Sequence, residues 1–277
     1  MLAIALALGA SLSWGLGDFL GGLTSRTQHV LTVLVVSQVA GIAAAMTWVV
    51  ASGEGFPGWP STALAAAAGV GGCLGIASLY RGMAVGAMGI VAPVSAVAAV
   101  IPFVVGIASG DRPSVLQIAG ILLALAGVGV ASREPRERGG GQADGIGLAL
   151  LAALGFGLYF VFADLAADDS VPFAVVTARG MSLLLALVAA LVVGASLRPA
   201  RATWPALVAV GLCDVGANML FSLAVTRGYL SVVSVLSALY PVVTVALAAV
   251  VLHECVSRTQ RLGVFGALAG AAMITAG

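Results

Sequence analysis

The sequence predicts an all-α integral membrane protein with ten transmembrane helices, arranged as two inverted-topology repeats of five helices. Hydrophobic residues make up 61% of the 277-residue chain and charged residues only 8%. The mean hydropathy is +1.15, a value that soluble globular domains do not reach. The apolar runs are continuous rather than alternating, and one polar stretch, residues 132–145, divides the chain near its midpoint.

The apolar runs have the length of membrane-spanning helices. About 20 apolar residues cross the hydrocarbon layer, and only helices or closed barrels satisfy their backbone hydrogen bonds there. Long unbroken runs favour helices over barrel strands. The predicted spans are Leu2–Gly22, Val30–Ala51, Thr62–Gly82, Gly86–Ala108, Ser114–Ala131, Gly145–Ala166, Pro172–Gly194, Thr203–Val225, Tyr229–His253 and Thr259–Ala276.

The polar stretch Ser132–Gly145 contains three of the twelve arginines and three of the eleven acids. Its charges and glycines are typical of a solvated, flexible tether. We therefore predict a first five-helix repeat at residues 1–131, a polar linker at 132–145 and a second five-helix repeat at 146–277.

The two halves repeat in sequence at a spacing near 142 residues. Trp14-Gly15-Leu16 corresponds to Phe156-Gly157-Leu158, and Trp59-Pro60 corresponds to Trp204-Pro205. An odd number of spans per repeat makes the second copy enter the membrane from the opposite side. In known folds this symmetry accompanies alternating access to a site at the membrane midplane.

Several blocks also carry a family resemblance. They are the Trp-Gly of the first span, Arg-Gly-Tyr-Leu-Ser-Val-Val from Arg227, Leu-Tyr-Pro ending at Pro241, and His253-Glu254. In this order they resemble the EamA type of the drug/metabolite transporter superfamily, over the whole chain. The resemblance implies a ten-helix permease with a central cavity for small metabolites. Two positions depart from it: Asp111 replaces the family's Glu, and His253 replaces a Gly.

Placing an ionisable residue inside a span costs roughly 2.5 to 3.5 kcal/mol of insertion free energy, so each such residue needs an explanation. Asp214 and Asn218 are four residues apart and share a helix face. Arg179 lies at a similar depth, ~10 Å from the same surface at ~1.5 Å per residue, so we expect it to contact that face. Either the group binds substrate or protons, with Arg179 holding a carboxylate, or it is a buried ion pair.

An acid and an aromatic residue also share a face of the first span, as Asp18 and Trp14. The corresponding residues of the sixth span are Phe156 and Phe160. The resemblance implies that these two helices line the cavity together, which predicts one titratable wall and one apolar wall. The alternative for Asp18 is wetting at the membrane interface, and that interpretation is favoured for Asp164, nearer its helix end.

Prolines interrupt two spans that correspond in the repeat. Tyr240-Pro241 lies in the ninth span, and Pro93 and Pro102 lie in the fourth. Proline removes a backbone donor and bends the helix, which creates either a hinge at a cavity or an ordinary kink. Because the spans correspond, we favour a cavity role for Tyr240. The candidate substrate-binding or coupling residues are Trp14, Asp18, Phe156, Phe160, Arg179, Asp214, Asn218 and Tyr240.

Small residues at four-residue spacing predict close helix packing at Gly17 and Gly21, Gly71 and Gly75, and Gly266 and Gly270. The fifth and tenth spans contain few polar groups. We expect them to serve as a scaffold or as the contact face of a homodimer.

The arginines indicate an orientation through the positive-inside rule. Nine arginines fall in connections on the linker's side of the membrane, and only Arg112 and Arg227 fall on the other. This predicts a cytoplasmic linker and two external termini in the cell membrane. The family is commonly drawn with both termini inside, so the charges and the resemblance disagree.

These features predict a secondary transporter, a permease or exporter of a small metabolite such as an amino acid or small organic ion. Protons are the candidate coupling ion. The chain has no Lys, hence no Walker lysine, and its net charge of +1 predicts no nucleic-acid partner. We expect no cofactor, no metal site and no enzymatic activity. The alternatives are a passive channel, a membrane-embedded enzyme or a scaffold.

Overall fold

The computed structural model describes residues 1–85, 88–131, 142–252 and 257–276, and the regular structure within these ranges is helical. The helices are α1 (Leu2–Ser25), α2 (Val30–Ser52), α3 (Trp59–Val85), α4 (Met88–Ser95), α5 (Val100–Ala108), α6 (Val115–Ala131), α7 (Gln142–Ala167), α8 (Val171–Val193), α9 (Trp204–Val225), α10 (Leu230–Ser237), α11 (Tyr240–Val251) and α12 (Arg258–Ala276).

The helices follow the predicted apolar runs closely. Within the described ranges, seven helical segments are long and apolar enough to cross a membrane. Three further apolar helices are shorter, at Ala96–Ala108, Val115–Gly127 and Arg261–Ile274. Of the predicted linker, residues 132–141 lie outside the described residues, and α7 already begins at Gln142.

The fourth and ninth predicted spans are each broken near the middle. A 3₁₀ segment, Ala96–Ala99, separates α4 from α5, and a turn at residues 238–239 separates α10 from α11. The breaks lie beside the predicted proline sites. Pro93 is in the last turn of α4 and Pro102 in the first turn of α5, and proline fits the first turn of a new helix but not a helix interior. Pro241 accordingly lies in the first turn of α11.

Glycines bring the helices into close contact. α3 and α7 run antiparallel: Ser61 Oγ donates to Ala166 O at 3.3 Å near one end, and Gly71 lies against the backbone of Gly155 near the middle. α1 and α9 pack in the same manner, with Ser13 Oγ donating to Cys213 O at 2.7 Å. Gly17 and Gly21 of α1 lie against Cys213 and the ring of Tyr80, so the predicted small-residue contacts of α1 and α3 are present.

α6 and α12 form a pair through glycines of their own. A Cβ on Gly120 would lie 2.7 Å from Gly270 O, and one on Gly127 would lie 2.7 Å from the backbone of Gly266. Such spacing leaves no room for a side chain, so the two backbones are in direct contact. The Gly266 and Gly270 pair predicted from the sequence lies in this contact.

The core divides into two main hydrophobic clusters near opposite ends of the bundle. The first includes Ala7 near the start of α1 and Ala167 at the end of α7. The second includes Met83 near the end of α3 and Ala149 near the start of α7. Phe156, midway along α7, packs against both clusters.

Of the two departures from the family pattern, Asp111 and His253, the structure describes only Asp111. The Asp111 carboxylate accepts a hydrogen bond from Ser231 N at 2.9 Å and so caps the start of α10, where a negative charge is favourable. His253 lies outside the described residues.

Candidate functional site

A cavity lies in the middle of the bundle, at the level of Phe156. The empty volume around its lining residues is about 410 Å³, including space open to the surroundings. All of the candidate residues from the sequence line it, namely Trp14, Asp18, Phe156, Phe160, Arg179, Asp214, Asn218 and Tyr240. Gly72, Ile76 and Tyr159 also line it.

Arg179 and Asp214 form a buried ion pair across the cavity. Arg179 Nη1 donates to Asp214 Oδ2, and the side chains are 7% and 16% exposed. The same Nη1 donates to Gln38 Oε1 at 3.2 Å. The contact predicted from helix depth is thus present, and the role of the pair in binding substrate or protons stays a prediction.

Hydrogen bonds fix the Asp214 carboxylate further. Its Oδ1 accepts from Trp14 Nε1 at 3.2 Å and from Asn218 Nδ2 at 3.0 Å. The Oδ1 of Asn218 in turn accepts from the hydroxyl of Tyr159. With Arg179 as a further donor, Asp214 is held by groups from three other side chains, as a buried charge requires.

Arg179 is not completely satisfied by these partners. Its Nε is buried and has no hydrogen-bond partner among the described residues. A guanidinium presents its donors as a planar fork, so the unpartnered Nε leaves Arg179 able to donate one more hydrogen bond.

Asp18 is buried without a comparable partner. It is 4% exposed, which contradicts the alternative that its carboxylate is wetted at the membrane interface. No hydrogen bond to its carboxylate is present within residues 1–85, 88–131, 142–252 and 257–276. Asp164, by contrast, is half-buried near the end of α7, and its location at the membrane interface stays a prediction.

Tyr240 joins the two broken helices. Its hydroxyl and Ser95 Oγ are 2.6 Å apart, and Ser95 Oγ also donates to Ala92 O at 2.7 Å. Ser95 is the last residue of α4 and Tyr240 the first residue of α11. The hydrogen bond therefore links the break in one helix to the break in the other.

Aromatic rings surround the charged groups. The Trp14 ring lies 5.7 Å from that of Phe160 and 6.4 Å from that of Tyr159, in edge-to-face arrangements that aromatic pairs prefer. On another side, the rings of Phe156 and Tyr240 are 6.4 Å apart. The charges of the cavity thus lie among polarisable rings.

The cavity has chemically different walls. Asp18, Asp214 and Asn218 come from the packed pair α1 and α9, whereas Phe156, Phe160, Gly72 and Ile76 come from the packed pair α3 and α7. The predicted contrast between a titratable wall and an apolar wall is present. Trp14 on α1 and Tyr159 on α7 bring an aromatic ring to the first wall and a hydroxyl to the second.

Four residues of the site were not predicted from the sequence: Gly72, Ile76, Tyr159 and Gln38. Gly72 and Ile76 precede Asp214 and Asn218 by 142 residues, so the repeat spacing could have found them. Tyr159 follows Phe156 by three residues and shares its face. Gln38 is an amide within an apolar run, which is itself a signal.

Comparison with known proteins agrees with the membrane architecture. Residues 143–276 match the EamA-like transporter family. No curated protein sequence matches the chain. A solved structure titled "Crystal structure of protein" is 22% identical, with a TM-score of 0.77, and the match covers 99% of this chain and 96% of that one. At this identity the likeness shows the fold alone. The chain is therefore a multi-pass membrane protein whose second half, residues 143–276, resembles the EamA-like transporter family.

Proposed function

We propose that the protein is a secondary transporter that carries a small metabolite across the cell membrane by alternating access. The observation that supports it most is the central cavity, which holds an ion pair and an unpaired acid between hydrophobic clusters at the two ends of the bundle. Ionisable groups inside a membrane protein are energetically costly, and they commonly mark the path of a substrate or an ion.

Ten spans in two inverted five-helix repeats, 1–131 and 146–277, account for the packing. Ser13 contacts Cys213, and Gly71 contacts Gly155. The two contacts correspond in the repeat, because position 155 is 142 residues after position 13 and position 213 is 142 residues after position 71. Each contact is therefore the repeat equivalent of the other. The two broken helices also occupy corresponding places, which favours the same two-fold relation.

Alternating access requires that the two ends of the bundle open in turn while the cavity stays in place. The breaks beside Ala96–Ala99 and Tyr240 supply points where half of a helix turns without moving the other half. In this mechanism the Ser95–Tyr240 hydrogen bond keeps the two breaks in register. Substrate binds among the candidate residues, and Asp18 or Asp214 carries the coupling proton.

The transport proposal predicts saturable flux in vesicles reconstituted with the purified chain. A panel of amino acids and small organic ions is offered with and without a pH gradient. We expect at least one compound to show saturable uptake that the gradient accelerates, and uptake to fall about tenfold or more in Asp18→Asn, because that variant removes one of the two candidate proton carriers. The matched control, Asp164→Asn, should keep wild-type uptake.

Other outcomes of the flux experiment separate the alternatives. Flux that rises linearly with concentration favours a passive channel. Saturable flux that does not depend on the pH gradient contradicts proton coupling but supports transport. Absence of flux for every compound, together with hydrolysis of one of them, overturns the transport proposal in favour of a membrane-embedded enzyme.

The arginine distribution supports an orientation with the linker in the cytoplasm and both termini outside. In a variant with Cys73, Cys213 and Cys255 replaced by serine, a cysteine at Ala276 should react with an impermeant maleimide applied to intact cells. A cysteine at Ala200, in the connection before α9, should react only after the cells are opened. The reverse pattern would establish the orientation commonly drawn for the family.

A second copy of the chain is a candidate partner through α12. This helix exposes an apolar face that includes Leu262, Phe265 and Leu268, and either lipid or a homodimer contact covers it. Cross-linking between cysteines placed at Phe265 in the native membrane would support the dimer.

A further inference from the structure

We propose that the substrate is an amphiphilic monocation with an aromatic or apolar group, and that Asp18 binds its positive charge in exchange for one proton. The inference rests on the proposed transport function and specifies the substrate class of the same cavity. It assigns different roles to the two acids: Asp18 exchanges the ligand, and Asp214 stays paired with Arg179.

The net charge of the side chains that line the cavity favours a cationic ligand. Of the residues that the structure describes, the charged side chains lining the cavity are Asp18, Arg179 and Asp214. Arg179 and Asp214 neutralise one another in their ion pair, so an ionised Asp18 leaves one negative charge. A buried charge without a partner is strongly unfavourable. Either a proton or a cationic ligand therefore neutralises Asp18.

The surroundings of Asp18 decide between other ligand classes. Its ionisable neighbours are Asp214 on α9, Tyr80 on α3 and Tyr240 on α11, while Arg179 on α8 lines the same cavity. An anion would add a second negative charge to this group. A zwitterion that displaced the Asp18 proton would leave the carboxylate uncompensated, whereas a monocation that displaces this proton keeps the cavity neutral.

The two walls determine the shape of the ligand. A cationic group beside Asp18 lies on the α1 and α9 side, which also presents the ring of Trp14 one helical turn from Asp18, and aromatic rings attract cations through their π faces. The opposite side offers Phe156, Phe160 and Ile76, which suit an aromatic or aliphatic group. A ligand with one charged end and one apolar end therefore contacts both walls.

The exchange balances in charge. The cation enters, the Asp18 carboxyl loses its proton to water on the side from which the cation came, and the carboxylate and cation pair. Release reverses the order on the other side, with a proton from that side replacing the cation. No covalent bond other than the O–H bond of Asp18 is broken or formed.

Binding to the purified full-length chain tests the inference separately from transport. The probe is benzyltrimethylammonium, whose charge does not depend on pH. It is compared by calorimetry with its uncharged isostere neopentylbenzene, with phenylalanine and with phenylacetate. We expect the cation to bind about tenfold or more tightly than the others, since charge-assisted contacts have this magnitude. Its affinity should weaken as the pH falls, because protons compete for Asp18.

Variants identify the group responsible. Asp18→Asn should weaken benzyltrimethylammonium binding about tenfold or more and abolish both its pH dependence and the release of a proton on binding. Asp164→Asn should leave all three unchanged. Melting temperatures of the variants establish that any loss of binding occurs in folded protein, and Asp18→Glu should recover part of the affinity.

The outcomes distinguish this inference from the proposed function. Equal or tighter binding of phenylalanine or phenylacetate, or cation binding that is unchanged in Asp18→Asn, overturns the monocation assignment and leaves transport standing. Asp18-dependent cation binding without flux of any compound in vesicles upholds the site and overturns transport. Lack of cation binding by the folded wild-type chain also overturns the inference.

Discussion

Replacement of Arg179 by Gln is expected to destabilise the protein by about 3 to 5 kcal/mol, because it leaves Asp214 charged and buried without its partner. The remaining donors to Asp214, from Trp14 and Asn218, carry no charge. Two unpaired acids, Asp18 and Asp214, then line one cavity. The loss is measured as a lowered midpoint of thermal unfolding in detergent, followed by size-exclusion chromatography.

The double variant Arg179→Gln and Asp214→Asn is the informative companion. Replacing both members of a buried ion pair is often nearly neutral, and the amide oxygen of Asn can still accept from Trp14 Nε1. We expect the double variant to recover most of the lost stability. Arg198→Gln, at an exposed site between α8 and α9, serves as the control. A single Arg179→Gln variant as stable as the wild type would show that the ion pair contributes nothing to folding.

The second large effect is expected for Gly155→Ala, at the contact between α3 and α7. The added Cβ would lie 2.7 Å from Gly71 O and 2.8 Å from Gly75 Cα. Backbone cannot move aside as the end of a flexible side chain can, so the helices must separate. We expect a loss of about 1 to 3 kcal/mol, the usual cost of overpacking. Because Phe156 is the next residue, the cavity should be disturbed as well.

Gly147→Ala supplies the matched control on the same helix. A Cβ at Gly147 meets nothing within 4 Å in the part of the chain that the structure covers. Alanine favours a helix interior by about 0.5 to 1 kcal/mol over glycine, so this variant should be as stable as the wild type or slightly more stable. Melting temperatures that fall equally in both variants would contradict the packing explanation for Gly155.

Sequence reasoning predicted the helices well because lipid imposes a simple rule. A continuous apolar run of the right length must be helical, so the predicted span Val30–Ala51 and the observed α2, Val30–Ser52, differ by one residue. Depth in the membrane could also be counted along a helix, which predicted the contact between Arg179 and Asp214. Both arguments need only the rise per residue.

Rotation about the helix axes was harder to predict. Whether Asp18 faces a cavity or is wetted at the membrane interface depends on which neighbours pack against α1, and the sequence allowed both. Gln38 reaches Arg179 for the same reason, through packing between α2 and α8 that no spacing along the chain reveals. The hydrogen bond between Ser95 and Tyr240 depends on two helix breaks meeting in space.

The different walls of the cavity have a consequence for how such a site can arise. Under the proposed two-fold relation between the halves, a site built by two identical chains would carry the same side chain at positions 18 and 160, giving either two acids or two phenylalanines. The same holds for positions 72 and 214. Once both halves belong to one polypeptide, a mutation changes one wall and spares the other. Because the halves are joined in one chain, the two walls of the cavity can differ, and a carboxylate on one wall can face an aromatic ring on the other. The selectivity for a ligand is then not limited by symmetry.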